Sequence, residues 1–157
     1  MSLKNNLVGG AMIYTEVKQD LFEVDHTYYL AHCISADFGM AKGIAVQFNY
    51  YFDMRNKLKN KYPGYLQEFR RVKQGDCILE GEVFNLITKE HYYDKPTYKS
   101  LTQALIKCRD LCEEHDIKKI AMPVIGCGLD RLSWDKVSSI IRDIFFNTDI
   151  EILICKK

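Results

Sequence analysis

Apolar positions along this chain follow two rhythms that alternate from segment to segment. Over residues 12–18, Ile13, Thr15 and Val17 alternate with charged or polar neighbours, the period-two pattern of a strand. Residues 28–33 are almost continuously apolar, as in a strand covered on both faces. At Gly43 the rhythm changes. Ile44, Phe48, Tyr51 and Phe52 share one side of a helix expected over 43–52. Pro63 and Gly64 punctuate a helical or irregular excursion that runs to Gly75. Two short strands, 77–79 and 83–88, face each other across a Glu80-Gly81 turn. A helix follows over 97–115 with the stripe Leu101, Ala104, Leu105, Cys108, Leu111 and Cys112. Then come a strand over 119–124, a helix with Val137, Ile140, Ile141, Ile144 and Phe145 behind a Ser133 N-cap, and a last strand over 150–154.

Condensed, the order βαββαβαβ predicts an α/β domain: a mixed, mostly parallel sheet with helices on both faces. The periodicities place Ile13, Leu30, Ile34, Leu86, Leu105, Ile120, Met122, Ile140, Ile144 and Ile152 in its core. One domain is expected over 11–157, preceded by a polar, glycine-ending stretch over 1–10 that reads as a loose arm or a leader.

Composition narrows the field. With 157 residues the chain is long enough to bury most of its apolar surface. Lys and Arg number 22 against 21 Asp and Glu, so no global field draws it to nucleic acid or to a membrane. No apolar stretch approaches a membrane span, and the N-terminus lacks a signal-peptide core. The six cysteines are irregularly spaced and mostly lie in apolar runs, which suggests reduced thiols in a cytoplasmic protein. Cys108, Cys112 and His115 stand at i, i+4 and i+7 and could present three metal ligands on one helix face. The apolar stripe around them makes core packing the stronger reading, so no metal and no cofactor are expected.

The chemistry concentrates in three loops that follow strands, where α/β sheets bind their ligands. Ile120-Ala121-Met122-Pro123-Val124-Ile125-Gly126-Cys127-Gly128-Leu129-Asp130-Arg131 is a strand entering a glycine-rich turn ahead of a helix. Such a turn cradles phosphate with backbone N–H groups. Asp130 is electrostatically awkward beside a phosphate and points to chemistry. The run from His32 to Ala45, with Ser35, Met40, Gly43 and Ile44, repeats the strand–turn–helix pattern. Two cradles suit a ligand with two phosphates, or a phosphate and a ribose. The third loop starts at Lys89, just past the buried strand that ends in Thr88. Desolvation there would make its amine nucleophilic, although by position alone a solvated loop lysine is the stronger reading. Cys127, near a helix start, could be a low-pKa thiol partnered by His32, but a small side chain packed between two glycines is the stronger reading. His32 reads as a strand-end histidine satisfied by a hydrogen bond, and Trp134 as packing the first helical turn. Tyr92 and Tyr93 could flank a base, a weak signal.

These residues resemble a macrodomain, specifically the terminal ADP-ribose glycohydrolase branch, which is O-acyl-ADP-ribose deacylase-like and related to DarG-type DNA ADP-ribosyl glycohydrolases. The matching segments are Asp20-Leu21-Phe22, Ala31-His32-Cys33-Ile34-Ser35, Met40 with Gly43-Ile44-Ala45-Val46, Leu86-Ile87-Thr88-Lys89, Lys95-Pro96-Thr97-Tyr98, and Met122-Pro123 with the run from Ile125 to Leu132. They span nearly the whole chain in order. Gln19 departs from the glycine common in macrodomains.

The resemblance implies a three-layer α/β/α fold that binds ADP-ribose through Asp20, Leu21, His32, Ser35, Met40, Gly43, Ile44, Ala45 and Thr88, and through Pro123, Ile125, Gly126, Cys127, Gly128 and Leu129. It implies that Asp20 reads the adenine amino group and Ser35 lines the distal ribose. It also implies that Lys89 attacks the anomeric carbon and Asp130 assists ring opening and breakdown of the lysyl adduct. The expected partners are ADP-ribose and ADP-ribosylated protein or DNA, and the expected state is a monomer. Three readings stay open at this stage: a glycohydrolase acting on a protein carboxylate or a nucleic-acid base, a non-catalytic ADP-ribose reader, and an ADP-ribose-1″-phosphate phosphatase.

Overall fold

The computed structural model describes residues 12–128 and 130–157; the arm expected over 1–10 and the site residue Leu129 lie outside them. Six strands, β1 (Ile13–Lys18), β2 (Tyr29–Ser35), β3 (Asp76–Glu80), β4 (Val83–Lys89), β5 (Lys119–Met122) and β6 (Glu151–Lys156), form one sheet in the order β1-β6-β5-β2-β4-β3. Every neighbouring pair is parallel except the β3–β4 hairpin. Its turn holds Gly81 at φ +60°, a left-handed conformation that glycine adopts without a Cβ penalty.

Five helices cover the sheet: α1 (Ile44–Phe52), α2 (Met54–Lys61), α3 (Tyr65–Val72), α4 (Tyr98–His115) and α5 (Trp134–Phe145). The eight-element order expected from the pattern is therefore too short. The chain opens with two strands separated only by a 3-10 turn, Leu21–Glu23, and the excursion before Gly75 contains two full helices. A left-handed Asp53 (φ 51°) joins α1 to α2, where its carboxylate accepts Asn56 Nδ2 at 2.9 Å. That joint breaks the helical phase, so the pattern over 43–61 is not one stripe.

Helices α4 and α5 pack on one face through Leu101, Leu105, Cys108, Cys112, Val137, Ile141 and Phe145, against Phe84, Leu86, Ile120 and Ile152. The 3-10 turn, α1 and α2 pack on the other through Leu21, Phe48, Met54 and Leu58, against Leu30, Ile34, Val83 and Ile87. Alternation along β2 and β4 sends successive side chains to opposite faces, which is why both strands read as continuous apolar runs.

One core expectation needs correction. Ile13 is 54% exposed, because β1 is an edge strand whose inward positions are Tyr14 and Val17. Ile140 and Ile144 are partly buried and pack against the same core, flanking the fully buried stripe Val137, Ile141 and Phe145. The other seven residues are buried. Helix α4 begins with a capping box in which Thr97 Oγ1 accepts the Ser100 N–H at 3.0 Å and Ser100 Oγ accepts the Thr97 N–H at 3.1 Å.

The hairpin meets that first turn closely. A Cβ on Gly75 would lie 1.9 Å from the Ser100 carbonyl oxygen and 3.1 Å from the Ala104 nitrogen. Gly75→Ala is expected to cost about 1–3 kcal/mol through overpacking. Gly64→Ala, where a Cβ would meet nothing within 4 Å, serves as the matched control and should stay within about 1 kcal/mol of wild type. Urea midpoints of the two variants check this; equal midpoints would contradict the packing described here.

Candidate active site

The β2–β4 pairing changes register at its C-terminal end. Ile34 pairs with Ile87, but Ser35 pairs with Lys89, so Thr88 is the extra residue of a bulge. Bulges re-aim side chains and are common beside active sites. Here the bulge places Lys89 across from Ser35 and leaves Thr88 inside the fold, 2% exposed. The Thr88 carbonyl accepts Ser100 Oγ at 2.7 Å, which ties the bulge to the start of α4.

Lys89 reaches from this bulge toward the glycine-rich loop, and Nζ donates to Asp130 Oδ1 at 2.8 Å. Both side chains are largely shielded, 13% and 17% exposed. The loop over 126–133 is held by its own backbone and by α4. Gly126 sits at φ +74°, the Leu132 N–H donates to the Gly126 carbonyl at 2.8 Å, and the Ser133 N–H donates to the Tyr98 hydroxyl at 2.9 Å. A Cβ on Gly126 would come within 3.1 Å of Leu132 Cδ1, so glycine answers both the dihedral and the packing. Ser133 occupies the N-cap position of α5 but makes no side-chain capping bond. Trp134 packs against the core, and its Nε1 donates to Glu16 Oε2 at 3.1 Å, fastening the start of α5 to β1.

A cavity of about 480 Å³ opens between the loops after β2, β4 and β5. Of the site residues proposed from sequence, Ser35, Met40, Gly43, Ile44, Ala45, Lys89, Pro123, Ile125, Gly126, Gly128 and Asp130 line it. A second hollow of about 450 Å³ continues past Ile44, Pro123 and Val124, which border both, and is lined by Asp20 and Leu21. Asp20 Oδ1 also accepts the Phe22 N–H at 2.9 Å, fixing the 3-10 turn. Gln19, the departure from glycine, has its N–H on the Lys156 carbonyl at 2.8 Å, which carries the β1–β6 pairing one residue onward.

His32, Thr88 and Cys127 stand apart from both cavity walls. His32 is fully buried on the other side of β2, stacked on Phe48 with ring centroids 3.7 Å apart. Its Nε2 lies 2.7 Å from Asn85 Oδ1, across the β2–β4 register. Since Asn85 Nδ2 already donates to the Ile78 and Val83 carbonyls, Nε2 carries the ring hydrogen. Cys127 donates its thiol to the Ile125 carbonyl at 3.2 Å, and burial together with nearby Asp130 pushes its pKa up, the reverse of an activated thiol. Cys108 and Cys112 are core residues of α4, while His115 is paired with Glu114 at 3.5 Å. Among the described residues no group of three His, Cys, Asp or Glu could hold a metal ion, and no helix is long and apolar enough to cross a membrane.

Several lining residues were not singled out from sequence: Cys33, Ile34, Ala41, Lys42, Val124, Gln47, Lys156 and Lys157. Gln47 could have been found, because it lies one helical turn after Gly43. Lys156 and Lys157 carry no local signal, since only the parallel β1–β6 pairing brings them beside Asp20. Tyr92 and Tyr93, 53% and 65% exposed, form part of the rim. The walls are cationic within a nearly neutral chain. Lys42 and Lys95 line the larger cavity beside the Lys89–Asp130 pair, and Lys157 lines the second hollow with Asp20, where Lys156 is paired with Glu16 at 2.8 Å. A long, half-apolar cleft with glycine turns, surplus lysines and a shielded lysine–carboxylate pair can bind a nucleoside diphosphate and act at one end of it.

A six-stranded mixed sheet between two helical layers, with its cleft at the strand ends, is the architecture of the macrodomains. The chain belongs to the Macro domain family, whose model matches residues 56–141. It is 38% identical to a human protein, "ADP-ribose glycohydrolase OARD1", over 98% of this chain and 96% of the human one. It superposes on the macrodomain of Thermus aquaticus DarG with a TM-score of 0.69 at 19% identity, covering 93% of this chain and 99% of that one. It also superposes on Thermosipho africanus DarTG in complex with ADP-ribose, with a TM-score of 0.67 at 19% identity, covering 92% of this chain and 42% of that one.

Burial pulls the His32 pKa from 6.5 down to about 4, with the Asn85 hydrogen bond only partly opposing it. Above pH 6.5 the imidazole is neutral in both folded and unfolded chains. As the pH falls from 6.5 toward 4, the unfolded chain takes up a proton that the native histidine refuses. This one group therefore removes stability over that window, by roughly 1.4 kcal/mol per pH unit at most. The His32 ring signals in NMR should keep their neutral form until about pH 4. Titration near pH 6.5 would contradict the buried placement.

Proposed function

We propose that this chain is an ADP-ribosyl glycohydrolase: it binds ADP-ribose along the cleft and removes it from a modified acceptor through Lys89 and Asp130. The observation that carries the reading is the 2.8 Å contact between Lys89 Nζ and Asp130 Oδ1, shielded from water at the inner end of the larger cavity. A protein that only reads ADP-ribose needs neither residue. The 38% identity to a human ADP-ribose glycohydrolase over nearly the full chain supports the activity, and the likeness to a DarTG structure that holds ADP-ribose supports the ligand.

The adenosine end then lies by Asp20, the diphosphate between the Gly43 and Gly126 turns, and the distal ribose by Ser35, Lys89 and Asp130. The ammonium–carboxylate contact keeps the lysine proton between the two groups. The amine becomes a nucleophile once that proton leaves, and Asp130 is the acceptor already in contact. Lys89 Nζ adds to the anomeric carbon, the bond from that carbon to the acceptor breaks, and the departing group takes up a proton. Water then cleaves the lysyl adduct, releasing ADP-ribose and restoring the amine. Carboxylate-linked protein and base-linked DNA are the acceptors to compare, and the protein is taken to work as a cytoplasmic monomer without a metal.

Lys89→Ala is expected to lower release of ADP-ribose from a labelled acceptor on the order of a thousandfold or more. Its affinity for free ADP-ribose should stay within about a factor of ten of wild type by calorimetry. Asp130→Ala should also stop release, because the Lys89 amine loses the acceptor for its proton. Near-wild-type turnover by Lys89→Ala would make the nucleophile a water molecule instead.

A further inference from the structure

We propose that Asp37, which stands behind the cleft wall, is a positioning residue that makes Ser35 a hydrogen-bond acceptor for a sugar hydroxyl and locks the two rims of the cleft together. The inference rests on reading the cleft as the ADP-ribose site. Asp37 Oδ1 accepts Ser35 Oγ–H at 2.5 Å and the Gly39 N–H at 3.0 Å, while Oδ2 accepts the Tyr92 N–H at 3.1 Å. Asp37 itself does not line the cavity; Ser35 and Tyr92 do.

An ionised carboxylate can only accept, so the single hydrogen of the Ser35 hydroxyl is committed to it. What Ser35 can still offer the cleft is a lone pair. Ser35 is 3% exposed and register-paired with Lys89, so this lone pair sits beside the lysine–aspartate pair. An oxygen offered in that way takes a hydrogen from a ribose hydroxyl and repels a phosphate or carboxylate oxygen. It therefore selects the sugar end of the ligand at this position and fixes the direction of the hydrogen bond.

The second carboxylate oxygen joins the loop after β2 to the loop after β4. The backbone runs in parallel with it: the Ala36 N–H donates to the Lys89 carbonyl at 2.9 Å, and the Asp37 N–H to the Glu90 carbonyl at 3.2 Å. Gly39 allows this approach, since a Cβ there would lie 2.9 Å from Tyr92 Cβ. One side chain thus links the sugar-facing hydroxyl to the aromatic rim.

The test is a double-mutant cycle on ADP-ribose affinity, read by calorimetry with melting temperatures recorded for each protein. Ser35→Ala is expected to weaken binding roughly tenfold, and Asp37→Asn by a similar factor. The double variant should be weaker than Ser35→Ala by much less than the factor that Asp37→Asn costs alone, because the part of its effect that passes through the hydroxyl has already been removed. If Asp37→Asn fails to fold, Asp37→Ser, whose hydroxyl can still accept the Gly39 N–H, replaces it in the same cycle with the same expectation. Factors that multiply in the double variant, or a Ser35→Ala protein that binds as tightly as wild type, overturn the role of Asp37 while leaving the glycohydrolase reading intact. A wild type that binds no ADP-ribose overturns that reading and this inference together.

Discussion

The register slip between β2 and β4 governs this molecule. Two parallel strands pair regularly up to Ile34 and Ile87, and then one residue, Thr88, is taken out of step. Without the slip, the alternation of a strand would send the side chain after Thr88 to the face occupied by Phe48 and Leu58. With it, Lys89 stands across from Ser35 and reaches Asp130 on a loop 41 positions later. The loops after three adjacent strands, β4, β2 and β5, converge there because the sheet order makes those strands neighbours. Site geometry is thus a consequence of strand pairing, and the loops only finish it.

The polar pairs in the structure divide by purpose. His32 and Asn85 are buried in the core between strands, and the histidine stays neutral because burial outweighs its one hydrogen bond. Lys89 and Asp130 form an ion pair with little access to water. A shielded ion pair gives up hydration that its attraction seldom repays in full, so it is weak evidence for stability. Its position in a cleft lined by lysines and glycines is what the proposed glycohydrolase activity builds on. Lysines also gather in the cleft walls of a chain whose net charge is only +1.

Much of this was legible in the amino-acid sequence, and what was hidden has physical causes. The continuous apolar runs of β2 and β4 announced a covered parallel sheet, and the loops after β2, β4 and β5 were legible as the place where the candidate site residues gather. Ile13 misled because alternation identifies a strand but not its place in the sheet, and β1 lies at the edge. His32 is covered by the Phe48 ring of α1, so adjacency to the first cradle in sequence did not make it a wall. Thr88 shows the same limit, since a bulge leaves no mark in the apolar pattern. Lys156 and Lys157 come beside Asp20 only through long-range pairing.

Reductive trapping tests the central claim most directly. The wild-type protein is mixed with an ADP-ribosylated substrate and cyanoborohydride, then digested and mapped by mass spectrometry. A lysyl intermediate predicts a stable ADP-ribosyl adduct on the peptide that contains Lys89. An unmodified Lys89, or label found on Lys42 or Lys95, which also line the cavity, would contradict it.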